Sequence, residues 1–207
     1  MQFKIIDNFL DQSAADRLFE LIVQQNVVPL NTLPTNVTTY KNINPDLFQH
    51  TRSFTQILMI KNQIEFMPAT EIINTILQNV VDKLQIRFVV SSIRINYMNQ
   101  SCAEPTLKYD IPHVDIKDIS KNMYTLIYYV NNSDGETILY DQTCRGSNYD
   151  NEISSKLTCL ERVSPRKNRL LIFNANQLHS APAYCTEDRY VINLNITTEF
   201  PLDYDQL

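Results

Sequence analysis

Glycine is almost absent from this chain: Gly135 and Gly146 are the only two among 207 residues. A dinucleotide-binding fingerprint or a phosphate-cradling loop needs several glycines close together, so both of those enzyme classes are excluded. No apolar run approaches the roughly 20 residues that cross a bilayer as a helix. The opening Met1-Gln2-Phe3-Lys4-Ile5-Ile6-Asp7 lacks the basic-then-apolar pattern of a secretory signal. A cytoplasmic setting with no membrane partner is therefore expected. The four cysteines, at 102, 144, 159 and 185, form no C-x-x-C pair, so free thiols are expected rather than a zinc knuckle. Positive charge is also in deficit, with 18 Lys and Arg against 23 Asp and Glu and a formal net charge of −5. A broad nucleic-acid surface needs clustered cations, so nucleic acid is not an expected partner. Histidine occurs only three times, and two of the three fall in one pattern described below.

Enough is present to build a core. Hydrophobic residues make up 43% and charged residues 20%, a composition that suits one globular domain over 1–207. Residues 3–10 read as a short strand leading into a helix capped by Asp11 or Ser13, with Leu18, Leu21 and Ile22 at helical spacing. Residues 30–56 read as irregular. A second helix opens at Pro68 and carries Ile72, Ile73, Ile76, Leu77, Val80, Val81 and Leu84 as one stripe. From residue 86 the pattern changes to strands, near 86–98, 123–130, 136–141, 157–163, 169–174 and 189–198. Asn131-Asn132-Ser133-Asp134-Gly135 makes a turn between two of them, and 142–156 reads as a long polar loop. Helices first and many strands later predict an α+β fold. Its form is a double-stranded β-helix (jelly-roll) barrel over 86–200, with 1–85 as helical support packed on one sheet.

Ile111-Pro112-His113-Val114-Asp115 sets an imidazole and a carboxylate two residues apart. On an extended segment both point to the same side and can reach one ion. His179 follows the apolar strand Leu170-Leu171-Ile172-Phe173. Two imidazoles and one carboxylate on one face of an octahedron leave open positions, the ligand set of non-haem iron(II) sites. Arg189 opens the last strand among apolar residues. A buried guanidinium is unfavourable without an anion, and a carboxylate is its natural bidentate partner.

These residues resemble the prolyl-hydroxylase-like branch of the iron(II)/2-oxoglutarate oxygenase superfamily. The match runs over roughly residues 86–198. It comprises His113-Val114-Asp115, Thr125-Leu126-Ile127-Tyr128-Tyr129, Asp134-Gly135-Glu136-Thr137, Asn168-Arg169-Leu170-Leu171-Ile172-Phe173, His179 and Arg189-Tyr190. The resemblance implies Fe(II) held by His113, Asp115 and His179, with 2-oxoglutarate as co-substrate and dioxygen as oxidant. It implies that Arg189 and Tyr129 bind the distal carboxylate of 2-oxoglutarate, with Tyr97 and Asn193 as further pocket residues. The implied reaction couples decarboxylation of 2-oxoglutarate to succinate with hydroxylation of a C–H bond, in a prolyl or other residue of a protein or peptide. A free amino acid or another small metabolite is the alternative substrate. A catalytically inactive jelly-roll binding module is the alternative outside enzymes, and a zinc hydrolase a third reading.

Overall fold

The computed structural model describes residues 3–29, 31–32, 54–98, 112–116, 120–144, 157–181 and 185–207. The chain opens with strand β1 (Phe3–Ile6) and helix α1 (Gln12–Phe19), which runs on into a wider π turn over Glu20–Gln24. Asp11, one of the two expected caps, stands at the N-cap in an extended conformation. Helix α2 (Thr70–Leu84) follows a single 3-10 turn that contains Pro68. Ile72, Ile73, Ile76, Val80 and Leu84 are buried along it. Val81, expected in the same stripe, is 44% exposed. Successive helical residues lie about 100° apart, so Val80 and Val81 cannot both face one partner. The helix stops where Gln85 turns left-handed (φ 53°) and its N–H donates to the Val81 carbonyl at 3.0 Å.

The strands expected after residue 86 are β5 (Phe88–Met98), β6 (Met123–Tyr129), β7 (Thr137–Thr143), β8 (Cys159–Val163), β9 (Arg169–Asn174) and β11 (Arg189–Thr198). Sequence patterning missed β10 (Gln177–Ser180), and also β3 (Phe54–Ile60) with its two-residue neighbours β2 (Asn31–Thr32) and β4 (Gln63–Ile64). The region before residue 85 is thus not helical support alone, since it adds β1 to β4 to the sheet. The expected irregular and loop segments fall outside the described residues over 33–53 and 145–156.

All pairings are antiparallel. The large sheet runs β1-β9-β6-β11-β5-β3-β2, with β4 on β3, and the small sheet runs β10-β7-β8. Side chains alternate across each strand. Leu126, Tyr128, Leu170, Ile172, Ile192 and Leu194 pack from one face of the large sheet against Leu18, Ile22, Ile73 and Ile76 of the helices. Ile127, Tyr129, Leu171, Phe173 and Val191 pack from the other face against Leu139 and Val163 of the small sheet. The result is the expected jelly roll, with helices outside the large sheet and a second, smaller core between the sheets.

Candidate metal centre

His113 and His179 stand opposite each other as an isolated antiparallel bridge. His113 N–H donates to the His179 carbonyl at 2.9 Å, and His179 N–H donates to the His113 carbonyl at 3.0 Å. Directly paired residues share a face, and the two imidazole centroids lie 4.7 Å apart. Val114, between His113 and Asp115, turns the other way and packs with Ile138, Tyr140 and Leu178. That burial holds both of its neighbours inward. His179 is buried, with Phe173 edge-on at 4.9 Å. Its Nδ1 lies 3.2 Å from the Gln177 carbonyl. A carbonyl only accepts, so Nδ1 carries the proton and the Nε2 lone pair is left for a ligand.

The Asp115 side chain is 1% exposed. His179 Nε2 lies 3.6 Å from its Oδ2, and His113 Nε2 lies 3.9 Å from its Oδ1. One donor atom from each of the three residues falls within 4.8 Å of the others. Burial pushes the Asp115 carboxyl up, but the group is held well below the usual carboxylate range, the neighbouring Arg94 guanidinium being the largest of the lowering causes. An anionic carboxylate, two imidazoles and no thiolate in the group fit a first-row divalent metal such as iron(II).

At the start of β11, Arg189 is buried, 4% exposed. Its Nε donates to the Gly135 carbonyl at 2.8 Å, and its Nη2 donates to Thr137 Oγ1 at 2.9 Å. The Tyr129 hydroxyl donates to the same Thr137 oxygen at 2.7 Å, and the guanidinium carbon lies 5.7 Å from the Tyr129 ring centre. Burial lowers the Arg189 pKa and raises that of Tyr129. No carboxylate among the described residues pairs with Arg189. A buried cation beside a phenol and a hydroxyl makes a cradle for a ligand carboxylate. Gly135 makes room for it: a Cβ there would lie 2.7 Å from Arg189 Cδ.

Of the other expected pocket residues, Asn193 does face the cluster. Its Nδ2 donates to Asp115 Oδ2 at 3.0 Å, so it serves the metal end rather than the Arg189 end. Tyr97 does not come to the cluster. It pairs across the sheet with Tyr190, stacks on that ring at 4.5 Å and donates to Asp188 at 3.0 Å. On β5 it shares a face with Ile93 and Ile95, which belong to the helix-side core. Sequence reasoning missed two contributors, Thr137 and Arg94, whose guanidinium bonds Asp115 Oδ1. Strand parity was the available signal for Arg94, since Ser92, Arg94 and Asn96 alternate with Ile93 and Ile95.

The profile of the 2OG-Fe(II) oxygenase superfamily matches residues 101–197. No curated protein matches the sequence. Among solved structures, a Trichoplax adhaerens prolyl hydroxylase, in complex with a peptide fragment of the hypoxia inducible factor oxygen degradation domain, aligns at 16% identity. That alignment covers 96% of this chain and 84% of the other, with a TM-score of 0.53. A 2OG-Fe(II) oxygenase family oxidoreductase from Burkholderia pseudomallei aligns at 10% identity, covering 98% and 88%, with a TM-score of 0.64. The non-haem, alpha-ketoglutarate-dependent epimerase SnoN of nogalamycin biosynthesis aligns at 10% identity, covering 95% and 78%, with a TM-score of 0.62. At these identities the likeness is one of fold.

Proposed function

We infer that the chain is a member of the 2OG-Fe(II) oxygenase superfamily, whose profile matches residues 101–197 and whose members use iron(II), 2-oxoglutarate and dioxygen, and from that premise its own residues divide the work. His113, Asp115 and His179 hold the metal. Arg189, with Tyr129 and Thr137, holds the distal carboxylate of 2-oxoglutarate. Once bound, metal, oxoacid and dioxygen would supply the oxidation, coupling conversion of 2-oxoglutarate to succinate and CO2, which takes one oxygen atom, with insertion of the other into a substrate C–H bond. The protein's part is binding, orientation and exclusion of water. The His179 Nε2 lone pair and the Asp115 carboxylate face one point. Phe173, Leu171 and Val191 keep the barrel interior between the sheets dry. The observation that carries this reading is that the face of β11 whose Asn193 bonds Asp115 of the three-donor cluster also carries a buried Arg189 with no carboxylate partner among the described residues.

For the substrate we propose a prolyl or other residue of a protein or peptide. The peptide-bound Trichoplax enzyme is the ground for that choice. SnoN, from the biosynthesis of a small molecule, keeps a metabolite as the second reading. We further propose one oxygenase domain working in the cytosol. Cys159 is a free thiol, as a reducing compartment would leave it. Among the described residues no helix is long and apolar enough to cross a membrane.

The test is anaerobic titration of 2-oxoglutarate into iron(II)-loaded protein, reading the visible metal-to-ligand charge-transfer band. A band that saturates, and is lost in His179→Ala, supports the assignment. A folded, metal-loaded protein without the band would favour a binding module or a zinc site instead. Succinate release across peptides and metabolites then separates the two substrate classes.

A further inference from the structure

The three metal-site side chains are fixed in different ways. His113 and His179 are held by reciprocal backbone bonds. Asp115 lies two residues beyond that bridge, in no strand, so backbone pairing does not aim its carboxylate. The aim has to come from side chains. Arg94 of β5 and Asn193 of β11 are directly paired across the sheet, so both project toward the barrel interior. Arg94 Nη2 bonds Oδ1, and Asn193 Nδ2 donates to Oδ2 at 3.0 Å.

The Asn193 amide is itself held one way round. A carboxylate only accepts, so Asn193 must present its NH2 group to Asp115. Its Oδ1 then accepts from Asn195 Nδ2 at 2.9 Å. Asn195 Nδ2 also reaches Ser92 Oγ at 3.2 Å, and Asn195 Oδ1 accepts from the Thr125 hydroxyl at 2.9 Å. Along Thr125, Asn195, Asn193 and Asp115 each donor points toward the carboxylate, and reversing either amide would set two donors or two acceptors face to face.

We propose that Arg94 is a positioning residue for the metal site: with the Asn193–Asn195–Thr125 relay it clamps both oxygens of Asp115 and fixes the direction in which that carboxylate meets the metal. This rests on Asp115 being a metal ligand. Arg94 is also a cation beside the metal position, and the two effects oppose each other. If repulsion alone mattered, removing Arg94 would tighten metal binding. If positioning dominates, removing it weakens binding.

The experiment is anaerobic calorimetric titration of Mn(II) and Co(II) into wild type, Arg94→Met, Arg94→Gln and Asn193→Ala. The visible Co(II) spectrum and circular dichroism are recorded alongside. Arg94→Met keeps the volume of the stem and loses both donor and charge. The expected result is a roughly 10- to 100-fold weaker affinity and an altered Co(II) spectrum. Arg94→Gln, which keeps a donor without the charge, should recover part of the affinity. Asn193→Ala should weaken binding in the same direction. Unchanged or tighter binding by Arg94→Met, with the wild-type Co(II) spectrum, overturns the proposal. If Arg94→Met does not fold, Arg94→Lys decides: it keeps the charge but moves the donor, so weakened affinity supports positioning and wild-type affinity overturns it. A folded wild type that binds neither metal would instead overturn the triad assignment on which the proposal rests.

Discussion

On its helix side strand β11 presents Tyr190, Ile192, Leu194 and Ile196. On its barrel side it presents Arg189, Val191, Asn193 and Asn195. The first face is apolar except for the Tyr190 hydroxyl and packs against Leu18, Ile22, Ile73 and Ile76. The second is mostly polar and just as buried, and its charged and amide groups are tied to Gly135, Thr137, Asp115, Thr125 and Ser92. Burial alone therefore does not tell what a residue is for. One face lowers the free energy of the fold through area and packing. The other keeps polar groups out of water, which is tolerable only because each has a partner.

If the two faces are separable, mutations on them should fail in different ways. The largest effect is expected on the helix side. Ile192→Ala removes a fully buried side chain and should lower stability by about 2–5 kcal/mol in urea unfolding. The 2-oxoglutarate affinity of the folded fraction should stay at the wild-type value, and a parallel fall in affinity would merge the two faces. Arg189→Met should do the reverse. Stability should stay within about 1 kcal/mol of wild type or rise, because a buried cation with no carboxylate partner among the described residues is replaced by an apolar group of similar volume. Affinity of metal-loaded protein for 2-oxoglutarate should fall on the order of 100-fold, about 2.7 kcal/mol, by anaerobic calorimetry.

Gly135→Ala sharpens the comparison. The new methyl would meet Arg189 Cδ, so the stem must shift, with an expected loss of about tenfold in 2-oxoglutarate affinity, about 1.4 kcal/mol. Mn(II) affinity should not change. The smallest effect lies away from both faces. Asp7 accepts from Arg169 Nε at 2.6 Å, beside β1 at the sheet edge. The Arg169 hydrogen bond holds the Asp7 carboxyl below its ordinary pKa. Its stabilisation is therefore complete above the ordinary carboxylate pKa and is lost as pH falls through the lowered folded value. Asp7 is half exposed, so Asp7→Asn should cost about 1 kcal/mol or less near neutrality. Wild type and variant should converge in acid, as unfolding curves across pH would show.

Much of this architecture was legible in the chain because it rests on local patterns. The long strands alternate or are continuously apolar, and α2 carries its stripe. His113 and Asp115 come to one cluster with His179 because Val114 between them packs on the opposite side, against Ile138, Tyr140 and Leu178. What could not be read depends on pairing at a distance. β10 is four residues with a polar residue at each end, and it is a strand only because β7 and His113 lie beside it. β3 carries a bulge against β5 between Ile57 and Met59, which breaks its alternation. Tyr97 was placed in the pocket by resemblance, although its parity with Ile93 and Ile95 already put it on the core side. The same parity put Arg94 inside, but its partner Asp115 lies far along the chain, and only the fold brings the two together.

The bridge between His113 and His179 has one more consequence. Strand side chains alternate with a period of two, so a slip of β10 by a single residue would turn His179 out and bring Leu178 in. Three donors then could not meet. Only molecules whose small sheet has closed in the correct register bring the donors together, and on the proposed assignment the metal-loaded fraction of a preparation becomes a census of correctly assembled barrels.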